Sequence, residues 1–184
     1  MSEGTHPLQQ PYCFWFLRRN NAGVKAVAAE NYASMIKKIG CFSTVEGFWS
    51  YYSHLVRPED LPLNCEFHLF KEGIRPVWED DANKLGGKWI LRLKKGLSNR
   101  FWEELIIALV GEQFDAGEEI CGAVISIRYE GDILSIWNKH HEDKEATLRI
   151  RDSIKRVLHL PPNAVMEYKR HAVDNNRESS SFRS

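Results

Sequence analysis

In the stretch KWILRL, Trp89, Leu91 and Leu93 alternate with Lys88, Ile90 and Arg92. In AVISIRY, Ala123, Ile125, Ile127 and Tyr129 alternate with Val124, Ser126 and Arg128. A period of two marks a strand whose faces meet different surroundings, because successive side chains point to opposite sides of a sheet. A chain built on such strands must cover one sheet face with a core and can leave the other, carrying Lys88, Arg92 and Arg128, open to solvent.

The remaining pattern says what covers the first face. Strands are expected at 12–17, 66–71, 88–94, 120–129, 132–138 and 164–169, with Glu130-Gly131 as a tight hairpin turn between two of them. One helix is signalled by STVEGFWSYYSHL, where Ser43 and Glu46 read as a capping box and Val45, Phe48, Trp49 and Tyr52 follow helical spacing. A second runs from Ser98 to Val110. A third runs from Lys144 to Leu158 and stops before Pro161-Pro162. Hairpin-linked strands interrupted by single helices define an α+β domain, an antiparallel sheet with helices gathered on one face.

At 184 residues the chain fits one domain, with 1–5 as a flexible N-terminus, 6–171 as the domain and 172–184 as a disordered tail. Net charge is zero, so no global basic field recruits nucleic acid, and any such binding is local. Cys13, Cys41, Cys65 and Cys121 have no zinc-type spacing and read as reduced, mostly buried thiols. No apolar run approaches membrane-spanning length. The expected compartment is the cytoplasm, with the nucleus open to a chain of this size.

The candidate chemistry centres on VWEDDANKLGGKW, where Trp78 directly precedes Glu79, Asp80 and Asp81. An indole face attracts a delocalised cation, and a neighbouring carboxylate accepts two parallel hydrogen bonds from a planar donor edge. A guanine methylated at N7 offers both features. The alternative is a core-plugging Trp beside a solvated acidic turn. Tyr32 is the candidate second stacking ring, or else the end of a helical stripe with Met35, Ile36 and Ile39. Lys88, Arg92 and Arg128 either grip phosphates or form a solvated basic edge, and Trp137 either lines a pocket or anchors the sheet edge. Trp49 belongs to the core or serves as a partner anchor. The run HHEDKE (140–145) lacks metal-ligand spacing and suits a helix start, where acids meet the positive dipole end. No P-loop, G-x-S-x-G or nucleophile–base pairing is present, so binding is favoured over catalysis and no cofactor is expected.

Taken together, HPLQ (6–9), STVEGFW (43–49), LFKEGIRPVWED (69–80), NKLGGKW (83–89), RFWEELIIALVGEQF (100–114), CGAVISIR (121–128), IWNK (136–139) and LPP (160–162) resemble the mRNA cap-binding proteins of the eukaryotic initiation factor 4E type. The resemblance implies a curved antiparallel sheet backed by three helices. It implies that Trp78 stacks on 7-methylguanine, Glu79 holds the Watson–Crick edge, Trp137 contacts the methyl side and Arg128 meets the phosphate bridge, with Tyr32, Lys88 and Arg92 completing the site. It also implies a dorsal surface of His6, Pro7, Val45, Trp49, Glu104, Ile107 and Gly111, on which partners dock a helix carrying a Tyr and paired aliphatic residues. The chain departs from the initiation factor in having Tyr32 for the first stacking Trp and Ile133 where a phosphate-reaching lysine stands. These departures are similar to those of the 4E-homologous protein subclass, associated with translational repression, whereas the initiation factor itself recruits a scaffold subunit. The expectation is a monomer that binds capped mRNA more weakly than the initiation factor. Each departure costs on the order of 1 kcal/mol, about five- to tenfold in affinity.

Overall fold

The structure, a computed structural model, describes residues 4–19, 29–171 and 182–183. Its eight strands are β1 (Pro7–Arg18), β2 (Lys37–Thr44), β3 (Cys65–Lys71), β4 (Gly87–Leu93), β5 (Ile120–Ser126), β6 (Asp132–Asn138), β7 (Glu167–Arg170) and β8 (Phe182–Arg183). Its four α-helices are α1 (Ala29–Met35), α2 (Val45–Tyr52), α3 (Ser98–Val110) and α4 (Lys144–Val157). The strands form one sheet in the order β2-β1-β3-β5-β6-β4-β7-β8, with every pairing antiparallel. Register shifts at Phe14/Trp15 and Ile120/Gly122 mark bulges, which bend a strand and tighten its twist. The sheet is accordingly curved.

The alternation read in the sequence sorts the side chains as expected. Phe14, Phe67, Leu69, Ala123, Ile125, Leu134, Ile136, Trp89, Leu91 and Leu93 all join one buried cluster with Trp102, Leu105, Ile106, Leu109, Ile150 and Ile154 of the helices. The polar tips of the core aromatics find backbone partners in that layer. Trp89 Nε1 donates to the Thr147 carbonyl at 2.8 Å, and the Tyr12 hydroxyl donates to the Leu109 carbonyl at 3.2 Å. Each contact lets a large aromatic be buried without leaving its polar atom unpaired.

Several local expectations change. A strand, β2, occupies residues that carried no strand signal, because KKIGCFST shows no clean alternation and is held by pairing with β1. Met35 ends α1 and Ile39 lies in β2, so the stripe Tyr32, Met35, Ile36 and Ile39 is not one helix face. Helix α2 is capped by Thr44 rather than Ser43: Thr44 Oγ1 accepts from the Gly47 amide at 3.0 Å. Glu46 turns instead to His6. The connection from β5 to β6 spans 127–131, so Glu130-Gly131 is part of a wider loop and not a two-residue turn. Three helices, α2, α3 and α4, back the sheet as expected, and among the described residues the seven-residue α1 is an addition outside that layer.

Cys65 and Cys121 are free and buried, as expected. Cys13 and Cys41 are joined in a disulfide, which corrects the expectation of four reduced thiols. The two lie 28 residues apart in sequence and become neighbours only through the β1–β2 register, which sets Cys13 opposite Cys41. Glu72 brings a carboxylate within 4.8 Å of both sulfurs, but those sulfurs are bonded to each other. Most of the expected disordered tail lies outside the described residues; Phe182–Arg183 pairs with Glu167 and Tyr168 of β7. Residues 20–28 of the expected loop at 20–30 also lie outside them.

Candidate functional site

The concave face opposite the helices is a grid fixed by strand register. Leu17, Glu66, Ser126, Ile133 and Arg92 form one row across β1, β3, β5, β6 and β4. Trp15, His68, Val124, Ser135 and Ile90 form the next, and Cys13, Phe70, Gly122, Trp137 and Lys88 the third. Gly122 is required here: a Cβ would run into the Leu69 carbonyl and the Phe70 ring. The Gly86-Gly87 pair has a similar cause, since a Cβ on Gly86 would run into the Asn138 carbonyl. That pair is needed for close approach to neighbouring strands, not for a positive φ.

Two connections reach this face from opposite ends of β3. The segment 72–86 leaves at Lys71 and carries Trp78 and Glu79, whereas α1, with Tyr32, lies at the end where Arg18 pairs with Cys65. The 72–86 segment is built by its own acids and amides. Asp80 accepts from the Arg75 and Ala82 amides, each at 3.0 Å. The buried Asn83 donates to the Arg75 carbonyl at 2.9 Å and the Val77 carbonyl at 2.8 Å. With its backbone groups paired internally, the segment leaves Trp78 44% exposed and Glu79 exposed beside it. The acidic run therefore divides its labour: Asp80 shapes the turn, Asp81 pairs with Lys84 at 2.7 Å, and Glu79 is displayed.

Ile74 and Ala82 of the same segment pack on a small cluster of Phe70, Cys121, Val124 and Trp137. Trp137 thus lies under the Trp78 segment. Its ring meets the Phe70 edge at 5.3 Å between centroids and His171 at 4.1 Å, with Lys88 Nζ over it at 5.5 Å. Burial, with Lys88 nearby, pushes the His171 imidazole down to about 3, so it stacks as the neutral ring at physiological pH. Burial also lowers the Lys88 ammonium, opposed by the attraction of Glu66.

At the other end of the face, sequence reasoning missed the central residue. Glu66 is 2% exposed, yet it accepts from Arg128 Nη2 at 2.6 Å, from Arg19 Nη2 at 3.2 Å and from the Tyr32 hydroxyl at 3.0 Å. His68 Nε2 stands 3.4 Å from Oε2, the oxygen that accepts from Tyr32, whereas both guanidinium groups bond Oε1. Burial alone would push this carboxyl up, but His68, Arg19 and Arg128 outweigh it and hold it far below the usual carboxylate range. Arg128 is fixed at its backbone as well, its amide donating to the buried Asp132 at 3.0 Å, which also binds Lys95 and Ser98. Arg128 Nη1, Trp137 Nε1, Trp15 Nε1 and both His68 ring nitrogens are buried without a hydrogen-bond partner among the described residues. These donors and acceptors are left over from the fold's own pairing and are available to a polar partner.

Arg92 stands apart from this cluster. It is directly opposite Ile133 on the same face and loosely paired with Glu167 at 3.9 Å, leaving its side chain 69% exposed. The structure therefore groups Tyr32 with Arg128 around Glu66, and Lys88 with Trp137 beneath the Trp78–Glu79 segment, while Arg92 borders the first group as a free-ended cation.

On the helix side, His6 and Pro7 are brought to α2. The His6 amide and ring each meet the Glu46 carboxylate, at 3.0 and 2.6 Å, and Pro7 pairs with Thr44. The apolar face expected on α2 is split: Phe48 and Tyr52 are buried, whereas Val45 and Trp49 are exposed, as is Ile107 on α3. The Tyr52 hydroxyl and Arg57 both donate to Glu103, tying α2 to α3. Glu104 pairs with Arg100 at 2.8 Å, and Gly111 caps α3 by donating to the Ile107 carbonyl. A cleft between α3 and α4, lined by Glu104, Ile107, Arg156 and His159, continues this surface. In the HHEDKE run, His140 pairs with Glu119 and Asp143 caps α4 through the Ala146 amide, both structural uses.

A curved sheet with an aromatic–carboxylate pair displayed at one end and cations gathered on its concave face is the architecture of a ligand-binding protein. The chain belongs to the eukaryotic initiation factor 4E family, whose model matches residues 7–184. It is 49% identical over 183 residues to the rice "eukaryotic translation initiation factor NCBP", covering 100% of this chain and 78% of that one. Among solved structures it is similar to C. elegans eIF4E-3 in complex with the 4E-binding protein Mextli and cap analog, at TM-score 0.83 and 36% identity, covering 91% and 94% of the two chains. It is also similar to Ascaris suum eIF4E-3 with m7G cap, at TM-score 0.84 and 34% identity, covering 97% and 98%. The family comprises translation factors, not enzymes, in keeping with the absence of a catalytic motif in the sequence.

Proposed function

We propose that the protein binds the 7-methylguanosine cap of mRNA on its concave face and represses translation, competing there with the initiation factor while a partner docks on its helix side. The observation that carries the reading is the Trp78–Glu79 pair, displayed by a segment whose Asp80 and Asn83 side chains are spent on its own backbone. A methylated guanine supplies the cation for the indole and the N–H edge for the carboxylate. Arg128, with Lys88 and Arg92 on the same face, suits the phosphates. The solved cap complexes of similar chains support the same ligand. Val45, Trp49 and Ile107, exposed on adjoining helices, suit a helix with apolar anchors, and a 4E-binding protein is the partner in one similar structure. The proposed compartment is the cytoplasm, with a monomer as the working unit.

A second reading, translation initiation with recruitment of a scaffold subunit, is favoured by the naming of the rice relative as an initiation factor. Both readings share the cap. Titrating intrinsic Trp fluorescence with 7-methyl-GTP against GTP, for wild type and Trp78→Ala, tests the site: methyl-selective quenching lost in the variant is expected, and equal response to the two nucleotides refutes it. Adding the protein to a cell-free translation extract then separates the roles. Repression of capped but not uncapped reporters is expected; rescue of an extract depleted of its initiation factor would establish the second reading.

A further inference from the structure

The ring expected to stack on the base is already engaged by its own chain. The Tyr32 hydroxyl donates to Glu66 Oε2 at 3.0 Å, and the Arg19 guanidinium lies over the Tyr32 ring, 5.1 Å from its centroid. Arg19 closes the triangle by donating to Glu66 Oε1 at 3.2 Å. The carboxylate that holds the ring is itself buried, Glu66 being 2% exposed beside the equally buried His68. Glu66 is thus a buried anion that engages the edge of Tyr32 directly and its face through Arg19.

We propose that Glu66 and Arg19 are further affinity-determining residues of the cap site, holding Tyr32 by its hydroxyl and by one ring face so that stacking on the base has to compete with these contacts. This rests on the cap-binding reading above and deepens it. A ligand that needs the released ring binds with an affinity reduced by the fraction of molecules in which the ring is free. The smaller ring of Tyr32 relative to Trp then accounts for only part of the weakness expected of this site. The contact persists at neutral pH. Burial, reinforced by the Glu66 charge, pushes the Tyr32 phenol well above its ordinary range, so it stays a donor. Glu66 stays an acceptor because, although burial pushes its carboxyl up, His68, Arg19 and Arg128 together hold it far below the usual carboxylate range.

Tyr32→Phe separates this from stacking alone, because it keeps the ring area and deletes only the hydroxyl. Titration of wild type and Tyr32→Phe with 7-methyl-GTP and with 7-methylguanosine lacking phosphates is the test. The variant is expected to bind both ligands about three- to tenfold more tightly, by a similar factor, because the change acts on the ring and not on the phosphates. Equal or weaker binding by the variant overturns the inference, as does tightening confined to the phosphorylated ligand. A wild type that fails to distinguish 7-methyl-GTP from GTP overturns the cap reading and this inference with it. Wild type that binds selectively, with no gain in the variant, removes only the inference.

Discussion

Arg128 donates to Glu66 at 2.6 Å from beyond the end of β5, where its amide is also held by Asp132. This guanidinium serves two masters: one nitrogen neutralises a buried carboxylate, and the other is buried without a partner. Arg128→Ala should therefore cost both stability and binding. Removing one partner of a largely buried ion pair leaves Glu66 under-compensated, at about 1–3 kcal/mol, with Arg19 retaining part of the compensation. Affinity for 7-methyl-GTP should fall about tenfold, and affinity for the phosphate-free nucleoside much less. Urea denaturation and the two titrations check the two effects separately. Equal loss for both ligands would mean that Arg128 acts only through the fold.

Asp80 and Asp81 are neighbours with opposite expected outcomes. Asp80→Ala removes the acceptor of two backbone amides and should destabilise the segment by about 1–2 kcal/mol. It should also weaken cap binding several-fold through the segment that displays Trp78 and Glu79, since both Asp80 oxygens are taken up by backbone amides. Asp81→Ala removes only an exposed contact to Lys84 and should leave both properties unchanged. Parallel melting curves and cap titrations decide it; a loss of binding in the Asp81 variant would move the ligand to a different part of the acidic run.

The sequence foretold the layers of the fold better than it foretold the site. Period-two alternation in β4 and β5 and the 3.6-residue period of α3 are local signals, and burial follows them directly. Strand β2 has no such signal, because KKIGCFST owes its conformation to a partner strand and not to its own pattern. The Cys13–Cys41 bond and the Glu66 cluster were hidden for the same reason, both being products of register between segments distant in sequence. One clue was available for the second. In CEFHLFK, Glu66 and His68 alternate with Phe67 and Leu69, so their strand had to carry a polar lining on the face opposite the core. Trp49 was ambiguous by spacing alone, since it lies on the same helical turn as Phe48; only packing against the sheet decides which of the two is covered.

His171 makes stability sensitive to mild acid. Its folded-state value near 3 lies below the ordinary 6.5, so between these limits the unfolded chain binds a proton that the folded chain refuses. Stability from this group is fully present above pH 6.5 and is lost as pH falls towards 3, by up to about 2 kcal/mol at pH 5. Urea denaturation at pH 7 and pH 5 should show the loss in wild type, and His171→Phe, which keeps a ring against Trp137, should show a shallower pH dependence. An unchanged slope in the variant would assign the acid sensitivity to other groups.

Trp49 offers the cleanest separation of the two faces. It is 44% exposed on α2, touching Phe48 and Tyr52 edge-on, while those two rings rather than Trp49 fill the core. Trp49→Ala should therefore shift the melting temperature little, because the removed surface is half in water already. Cap titration should also be unaffected, since Trp49 lies on the helix layer and the cap face is the opposite side of the sheet. Binding of a helix-forming peptide with one Tyr and paired aliphatic residues should weaken more than tenfold, by about 2 kcal/mol, as expected for an aromatic anchor at the centre of an interface. Calorimetric titration of that peptide into wild type and variant makes the measurement. Undiminished peptide binding with Trp49 removed would place the partner elsewhere, and the cleft between α3 and α4 would be the next surface to test.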